Sequence, residues 1–220
     1  MPTGTWERLP EARRAAIVRA AEDEFSARGF SGGSLNTIAR NARVAKGSLF
    51  QYFADKVDLY AYLSELASLR IRAAMELRIR TLDWDAGFFA ALTGLTLEWE
   101  AYFHDHPLER ALTAAANLEP DSAALGAVRR VVNEHYLAVL GPLLRDAKDR
   151  GQLRADADLD AFLSMLLLVL PHLALAAHHP GLDPVLGLST GRSEDRSAAV
   201  IRLVEVFRAA FGVREPSGPR

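Results

Sequence analysis

Residues 34–56 read SLNTIARNARVAKGSLFQYFADK and hold four cationic side chains but one anionic side chain. The 220-residue chain as a whole has a formal net charge of −2. Residues 1–56 carry nine Lys/Arg and six Asp/Glu, a net charge of +3, whereas residues 57–220 carry −5. Opposite charges on two parts of one chain indicate different partners for each part, although +3 is also compatible with an ordinary solvated surface.

The same stretch contains two short helical patterns separated by a turn. Ser34 is a suitable N-cap for the first helix, which ends near Arg43. The apolar face of this helix consists of Leu35, Ile38, Ala39 and Ala42. The second helix begins around Ala45, with Leu49 and Phe53 facing inward. Two short helices with a shared core and polar groups on the far side predict a helix-turn-helix motif.

The polar face of the second helix has the composition that a DNA major groove requires. Its N-terminal end is slim at Ala45, Gly47 and Ser48, and it offers hydrogen-bond donors at Lys46 and Gln51. Glycine inside a helix costs roughly 0.5–1 kcal/mol relative to alanine, so close approach to another molecule is a reason to retain it. Of the chain's three lysines, two lie in this stretch.

Helical periodicity extends over nearly the whole chain, and no alternating strand pattern is convincing. A helix of about 18 residues is expected between Pro10 and Gly29, and one of about 25 residues over 55–80, roughly 37 Å long. Five further helices are predicted near 84–104, 107–117, 121–150, 158–178 and 193–211. The predicted fold is all-α with about nine helices. A three-helix domain spans residues 1–56, a helical bundle spans 57–220, and the helix at 55–80 links them.

Composition excludes several classes of protein. Without cysteine there are no disulfides and no thiolate metal sites. The charged N-terminus does not match a signal peptide, and the apolar run 161–177 is short for a membrane span and contains Pro171 and His172. A soluble, cytoplasmic chain is therefore expected, with a final segment, residues 215–220, too polar and Pro/Gly-rich to order itself.

The run SLNTIARNARVAKGSLFQYFADKVDL, residues 34–59, resembles the DNA-binding signature of the tetracycline-repressor (TetR) family of bacterial regulators. The shared features are the helix cap, the Ile-Ala pair, the turn, the small-residue recognition helix, the aromatic pair and the lysine that opens the next helix. The resemblance covers roughly residues 11–60, about a quarter of the chain. The candidate DNA contacts are Ser34, Thr37, Arg43, Lys46, Gly47, Ser48, Phe50, Gln51 and Lys56. The Arg43 contact is a separate hypothesis and not a family feature, and its alternative is a remodelled turn.

The resemblance also implies individual roles. Ser34 and Lys56 would meet phosphates, while Lys46 and the two small residues that follow it would lead the recognition helix into the groove. Gln51 would read a base, as a bidentate partner of adenine. Two positions depart from the family pattern. Phe50 stands where tyrosine is usual, which removes a phenol contact to phosphate, and Arg43 replaces the glycine of the turn.

The C-terminal part has two predicted partners. The helices at 158–178 and 193–211 are too apolar to leave one side in water, which predicts a homodimer built from them. The resemblance further implies a small-molecule effector site in this part. Its candidate residues are Trp99, Phe103, Asn117, His135, Tyr136, Met165 and His172. The expected protein is a ligand-responsive regulator, a repressor released from a palindromic operator by a small, largely apolar effector, with no cofactor, metal, catalytic residue or membrane.

Other chemistries are weaker candidates. The sequence Gly187–Gly191 matches G-x-S-x-G but lacks the strand that a nucleophile elbow needs. The six histidines lack a convincing metal-ligand spacing, and the aspartates at 156, 158 and 160 fit an acidic helix N-terminus better than a calcium loop. A helical small-molecule-binding protein or enzyme with a non-functional helix-turn-helix-like corner remains the alternative. A module that binds a different protein through its last helices is a third possibility.

Overall fold

The computed structural model describes residues 2–118, 121–189 and 191–213. Within these ranges the chain forms ten α-helices and no strand, and one isolated β-bridge joins Leu153 and Gly212. The helices are α1 (Gly4–Glu7), α2 (Glu11–Gly32), α3 (Leu35–Asn41), α4 (Lys46–Tyr52), α5 (Lys56–Ile79), α6 (Phe88–Asp105), α7 (Pro107–Asn117), α8 (Ser122–Asp149), α9 (Leu159–Ala176) and α10 (Ser193–Phe211). The all-α prediction is confirmed. The segment 215–220, expected to lack order, lies outside the described residues.

The helix boundaries differ from the sequence predictions in three places. Helix α1 was not predicted, because four residues are too few to show helical periodicity. Helix α2 does not stop at Gly29. That glycine takes a φ of 64° and kinks the helix, which resumes and continues to Gly32. Helix α6 begins at Phe88, four residues later than expected, after a turn around Asp83, whose carboxylate accepts hydrogen bonds from the next backbone amides.

The chain divides into two compact units. The first comprises Met1–Ile71 and His106–His135, and the second comprises Arg72–Asp105 and Tyr136–Arg220. The division falls inside α5 and inside α8, so the first unit contains α7 as well as the first four helices. The functional boundary at residues 56/57 remains a prediction from the sequence.

The first unit is built around α2, which packs against α3 and α7, while α3 packs on α4. Ile17, Phe25, Ile38, Leu49 and Leu63 are 0–2% exposed. Burying one such side chain contributes about 1.5–3 kcal/mol. The inward faces predicted for the two short helices are therefore confirmed, and their core fixes which sides of α3 and α4 remain in solvent.

An ionic cluster connects three helices of the first unit. The guanidinium of Arg70 on α5 donates from Nε to Glu109 on α7 at 2.7 Å and from Nη2 to Glu22 on α2 at 2.9 Å. Both glutamates are buried, whereas 40% of the Arg70 side chain is exposed. Burial lowers the pKa of Arg70, but the hydrogen bonds and charges of the two carboxylates outweigh it and raise the pKa overall. Arg70 thus stays cationic and ties α5 to both neighbours.

The core of the second unit is aromatic. Helix α6 packs against α9 and α10. Phe162 on α9 is fully buried, and its ring stacks on that of Phe211 with centroids 4.3 Å apart. The rings of Phe88, Phe89 and Phe207 surround it at 5.4–6.3 Å. This cluster holds one face of α9 and α10 in the unit.

The other face of α9 is apolar and exposed. Leu168 is 73% exposed and Met165 is 37% exposed, whereas Phe162 and Leu166 on the opposite side are buried. By length and composition, α9 is the one helix among the described residues that could cross a membrane, with a mean hydropathy of 2.0. The sequence predicted a helix buried on most sides, but 44% of this window is buried within the chain. Within one copy, α9 is therefore buried on fewer sides than the sequence predicted.

Candidate nucleic-acid interface

Helices α3 and α4 form the predicted pair of short helices joined by a turn. The Ser34 hydroxyl accepts a hydrogen bond from the Thr37 backbone amide at 3.4 Å, so Ser34 is the N-cap of α3 as predicted. The Ser34 amide itself donates to Glu24 on α2 at 2.9 Å. Ser34 therefore fixes the start of α3 through both its hydroxyl and its backbone amide.

The outward face of α4 carries the predicted groove-facing residues. Lys46, Gly47 and Gln51 are exposed, Phe50 is 48% exposed, and Ser48 is partly buried. A Cβ placed on Gly47 would have no heavy atom within 4 Å. Packing inside the chain therefore does not require glycine there, which leaves a flat surface on this side of α4 for an external partner.

The turn between α3 and α4 places Arg43 in the left-handed region, with a φ of 56°. The Arg43 amide donates to the Arg40 carbonyl at 3.1 Å, and the Val44 amide donates to the Ala39 carbonyl at 2.9 Å. These two bonds form a Schellman motif, which favours glycine at the position Arg43 occupies. Helix α8 ends in the same hydrogen-bond pattern with Gly151 there, at a φ of 69°. The left-handed conformation therefore lowers the folding stability by roughly 1–2 kcal/mol at Arg43, a penalty that Gly151 does not incur.

Arg43→Gly is expected to raise the free energy of unfolding by about 1 kcal/mol, because glycine relieves the left-handed backbone strain. The Arg43 side chain is exposed and makes no hydrogen bond or ion pair within the described ranges, so it is available for a phosphate. If it makes that contact, the variant also binds DNA less tightly and with a smaller salt dependence. Urea denaturation and operator titration measure the two effects. Higher stability with unchanged DNA affinity would rule out the contact.

Lys56 lies at the start of α5 and is partly buried. Its ammonium is 3.5 Å from the Ser31 carbonyl oxygen and 4.5 Å from the centroid of the Phe30 ring. The first turn of α5 is further fixed by Asp55, whose carboxylate accepts from the Asp58 amide at 2.8 Å. Lys56 is thus held near the end of α2, and its phosphate contact remains a prediction.

The predicted effector residues fall into both units. In the second unit, Trp99 packs against Phe103 and Tyr136, with ring centroids 4.9 and 5.5 Å apart. The Trp99 indole donates to the Leu170 carbonyl of α9 at 2.8 Å, two residues before His172. Because Trp99 and Phe103 are buried, they contact an effector only if the effector's cavity extends into this aromatic core. Met165 lies on the exposed face of α9 instead.

The two other candidates belong to the first unit and have polar partners of their own. The Asn117 amide donates to the Thr113 carbonyl, and its oxygen accepts from Arg129 at 2.6 Å. His135 Nε2 is 3.0 Å from a carboxylate oxygen of Glu65. The aromatic residues of the predicted site are therefore brought together within the second unit, and the effector site as a whole remains a prediction.

The remaining motifs take structural roles. Asp158 is the N-cap of α9, where its carboxylate accepts from the amides of Asp160 and Ala161, as the acidic-terminus interpretation predicts. The segment before Ser189 is a loop between α9 and α10, and Thr190 of the same motif lies outside the described residues. Among the described residues, no group of three His, Cys, Asp or Glu side chains could hold a metal ion.

Two functional candidates were missed by the sequence reasoning. Thr3, which precedes α1, and Trp6, which lies in α1, contact the end of α4. The sequence contains no signal for this contact, because 48 residues separate Thr3 from its partner. A shallow depression lined by Gly151, Leu153, Arg154, Ala155, Asp156 and Val213 contains none of the predicted site residues.

Residues 17–63, which span most of α2 and all of α3 and α4, match the family model of bacterial regulatory proteins of the tetR family. The regulator RutR of Escherichia coli is 45% identical over 58 residues, which cover 26% of this chain and 27% of RutR. This segment belongs to the DNA-binding domain of the TetR family. The first curated relatives are matched over 23–30% of their own length, so this similarity concerns the DNA-binding part of the TetR family.

Solved structures extend the fold similarity to the whole chain. A TetR-family regulator from Chloroflexus aurantiacus has a TM-score of 0.64 and 24% identity, and the match covers 97% of this chain and 100% of that one. FadR from Bacillus subtilis, in complex with stearoyl-CoA, has a TM-score of 0.66 and 18% identity, covering 86% and 96% of the two chains. The curated relatives are named as transcriptional regulators.

Proposed function

We propose that this TetR-family protein is a homodimeric, ligand-responsive transcriptional regulator, a repressor that binds a palindromic operator. Each copy places α4 in the major groove of one half-site. The observation that carries the proposal is the exposed face of α4, where Lys46 and Gln51 flank the uncovered Gly47 while Leu49 and Tyr52 are buried behind them. Repression in particular is supported by a relative named as a repressor, SCO4008 of Streptomyces coelicolor, 38% identical over 58 residues.

The proposed DNA contacts divide into two kinds. Lys46, at the exposed N-terminal end of α4, and Lys56 supply charge to phosphates, which gives affinity without sequence preference. Ser34, Thr37, Ser48 and Phe50 add polar or packing contacts to the backbone. Gln51 has a carboxamide that can donate and accept at one adenine, so it is the proposed source of base discrimination.

Selection of duplexes from a random library by the ligand-free protein tests this function. The expected result is a palindromic consensus whose binding weakens steeply with salt, because phosphate contacts release counterions. A protein that enriches no sequence, or that binds all duplexes equally well, would contradict the proposal.

Alanine substitutions separate the two kinds of contact. Lys46→Ala is expected to weaken binding to all duplexes and to lower the salt slope by about one phosphate contact. Gln51→Ala is expected to relax the preference at one base position by roughly 1–3 kcal/mol. The matched control is Lys148→Ala on α8, the chain's third lysine, whose ammonium donates to the Ala157 carbonyl. Equal losses in Lys46→Ala and Lys148→Ala would show that Lys46 makes no specific contact.

The proposed dimer uses α9 and α10. Their exposed apolar side chains are Met165, Leu168, Ile201 and Val206. The same helices bury Phe162, Val200, Val204 and Phe207 within the second unit, so each helix has two apolar faces. Pairing the outer faces of two copies gives a four-helix contact with two-fold symmetry, which matches a palindromic site.

The proposed effector is small and largely apolar. The aromatic cluster of Trp99, Phe103 and Tyr136 in the second unit supplies the apolar surface, and His172, two residues after the Leu170 carbonyl that Trp99 contacts, supplies a polar group. A solved structure of the same fold, FadR, holds stearoyl-CoA. Binding favours a spacing of the two α4 helices that does not fit the operator, which requires unequal affinity of the ligand for the two states. An effector that leaves operator affinity unchanged would refute this part. Regulation of this kind places the protein in the cytoplasm.

A further inference from the structure

The recognition helix α4 is too short to be stable without outside support. It has seven residues, and isolated helices shorter than about 12–15 residues are marginal in water. The last four carbonyls of a helix accept no hydrogen bond from the helix's own backbone amides. In α4, the Phe53 amide donates to the Leu49 carbonyl at 2.9 Å, which leaves the carbonyls of Phe50, Gln51 and Tyr52 to be satisfied from elsewhere.

Thr3 satisfies the last two of these carbonyls. Its backbone amide donates to the Tyr52 carbonyl at 2.9 Å, and its hydroxyl donates to the Gln51 carbonyl at 2.6 Å. Thr3 also accepts the Trp6 amide at 2.9 Å and thereby starts α1. One residue therefore ends the recognition helix and begins the N-terminal helix.

Trp6 anchors this segment in the core of the first unit. It is 2% exposed, and its ring lies 5.8 Å from Tyr52, 4.9 Å from Phe53 and 5.5 Å from Tyr62 between centroids. Its indole donates to the Tyr62 hydroxyl of α5 at 3.3 Å. The position of Thr3 against α4 is thus set by a buried aromatic cluster and not by the exposed surface alone.

We propose that residues 2–9 form an N-terminal clamp that holds α4 in its DNA-reading conformation, with Thr3 and Trp6 as positioning residues. The inference rests on the proposed function, and it adds a determinant of specificity that does not touch DNA. The carbonyl that the Thr3 hydroxyl holds belongs to Gln51, the proposed base reader. Loosening the clamp frays the last turn of α4, so both the affinity for the operator and the discrimination at the Gln51 position decrease.

Three substitutions at Thr3 separate the contributions of its two bonds. Thr3→Ser keeps both donors. Thr3→Val removes the hydroxyl, and Thr3→Pro removes the hydroxyl and the amide hydrogen. Thr3 has a φ of −77°, which proline adopts without strain. Thr5→Val is the matched control, because Thr5 is also exposed and its hydroxyl makes no hydrogen bond within the described residues.

Amide hydrogen exchange of the full-length protein without DNA is measured first. Thr3→Pro is expected to speed exchange in the last turn of α4 about tenfold, while exchange in the second unit stays as in Thr5→Val. Affinity for the selected operator then decreases about threefold in Thr3→Val and about tenfold in Thr3→Pro. Thr3→Ser keeps the wild-type affinity. Trp6→Phe, whose position is buried and cannot reach DNA, is expected to shift both measurements in the same direction.

Several results would overturn the clamp. Exchange in α4 that is equal in Thr3→Pro and Thr5→Val would refute it directly. Faster exchange without any loss of operator affinity would show that DNA reading does not depend on the clamp. Weaker binding with unchanged exchange would mean that Thr3 contacts DNA itself. A wild-type protein that selects no duplex refutes the proposed function, and the DNA-reading role of the clamp fails with it.

Discussion

Leu168→Arg is expected to convert the proposed dimer into a monomer and to lower operator affinity by at least about 100-fold, because two linked half-sites bind far more tightly than one. Leu168 is 73% exposed near the middle of α9, on the proposed dimer face. An arginine there would place an unpaired charge in an apolar contact in each copy, and burying such a charge is strongly unfavourable. Sedimentation analysis gives the oligomeric state, and titration of the selected operator gives the affinity.

Val185→Arg is the control for this experiment. Val185 is 82% exposed, but it lies in the loop between α9 and α10 and not on either helix. The same change in size and charge is therefore expected to leave both the dimer and operator binding intact. If Leu168→Arg remained a dimer with normal affinity, the copies would associate through another surface, and the pairing of α9 and α10 would be wrong.

Arg70→Met is expected to lower the free energy of unfolding by about 2–4 kcal/mol. Removing one partner of a buried ion pair typically costs 3–5 kcal/mol, and the partial exposure of Arg70 reduces this penalty. The substitution leaves the Glu22 and Glu109 carboxylates buried without their shared cation. Urea denaturation followed by circular dichroism measures the change.

Two further variants test the cause of this loss. Arg72→Met, two residues further along α5, removes a pair with Glu76 that is about 40% exposed on both sides, and it is expected to cost less than about 1 kcal/mol. Adding Glu22→Gln and Glu109→Gln to Arg70→Met is expected to recover part of the stability, because neutral amides are less costly to bury than unpaired carboxylates. Equal losses at Arg70 and Arg72, without recovery, would exclude the ionic explanation.

The helix-turn-helix could be predicted from sequence because its signals are local. The Ser34 cap, the apolar spacing of Ile38 and Leu49, and the flat surface at Gly47 lie within a few residues of one another, and the observed helices begin and end within two residues of the prediction. Arg43, which stands where the family pattern has glycine, takes a positive φ in this turn. Local geometry of this kind depends on neighbouring residues and their backbone hydrogen bonds.

The effector candidates show where composition reaches its limit. The candidate residues share the chemical character of a ligand site, but no sequence pattern places them together. The structure joins Trp99, Phe103 and Tyr136, but it gives Asn117 an Arg129 partner and His135 a Glu65 partner in the other unit. Nothing in the sequence near these residues indicates which helix they face.

The all-α class, the order of nine helices and the TetR-type DNA-binding motif could be read from the sequence, because helical periodicity and the motif at residues 34–59 are encoded in short segments. Three features depend instead on tertiary packing: Arg70 joins α2 to α7, Leu168 stays exposed while Leu166 is buried, and Thr3 ends the helix proposed to read DNA. These contacts link residues that are far apart in the chain or differ only in direction on one helix. Their partners are chosen by how the packed helices fit together.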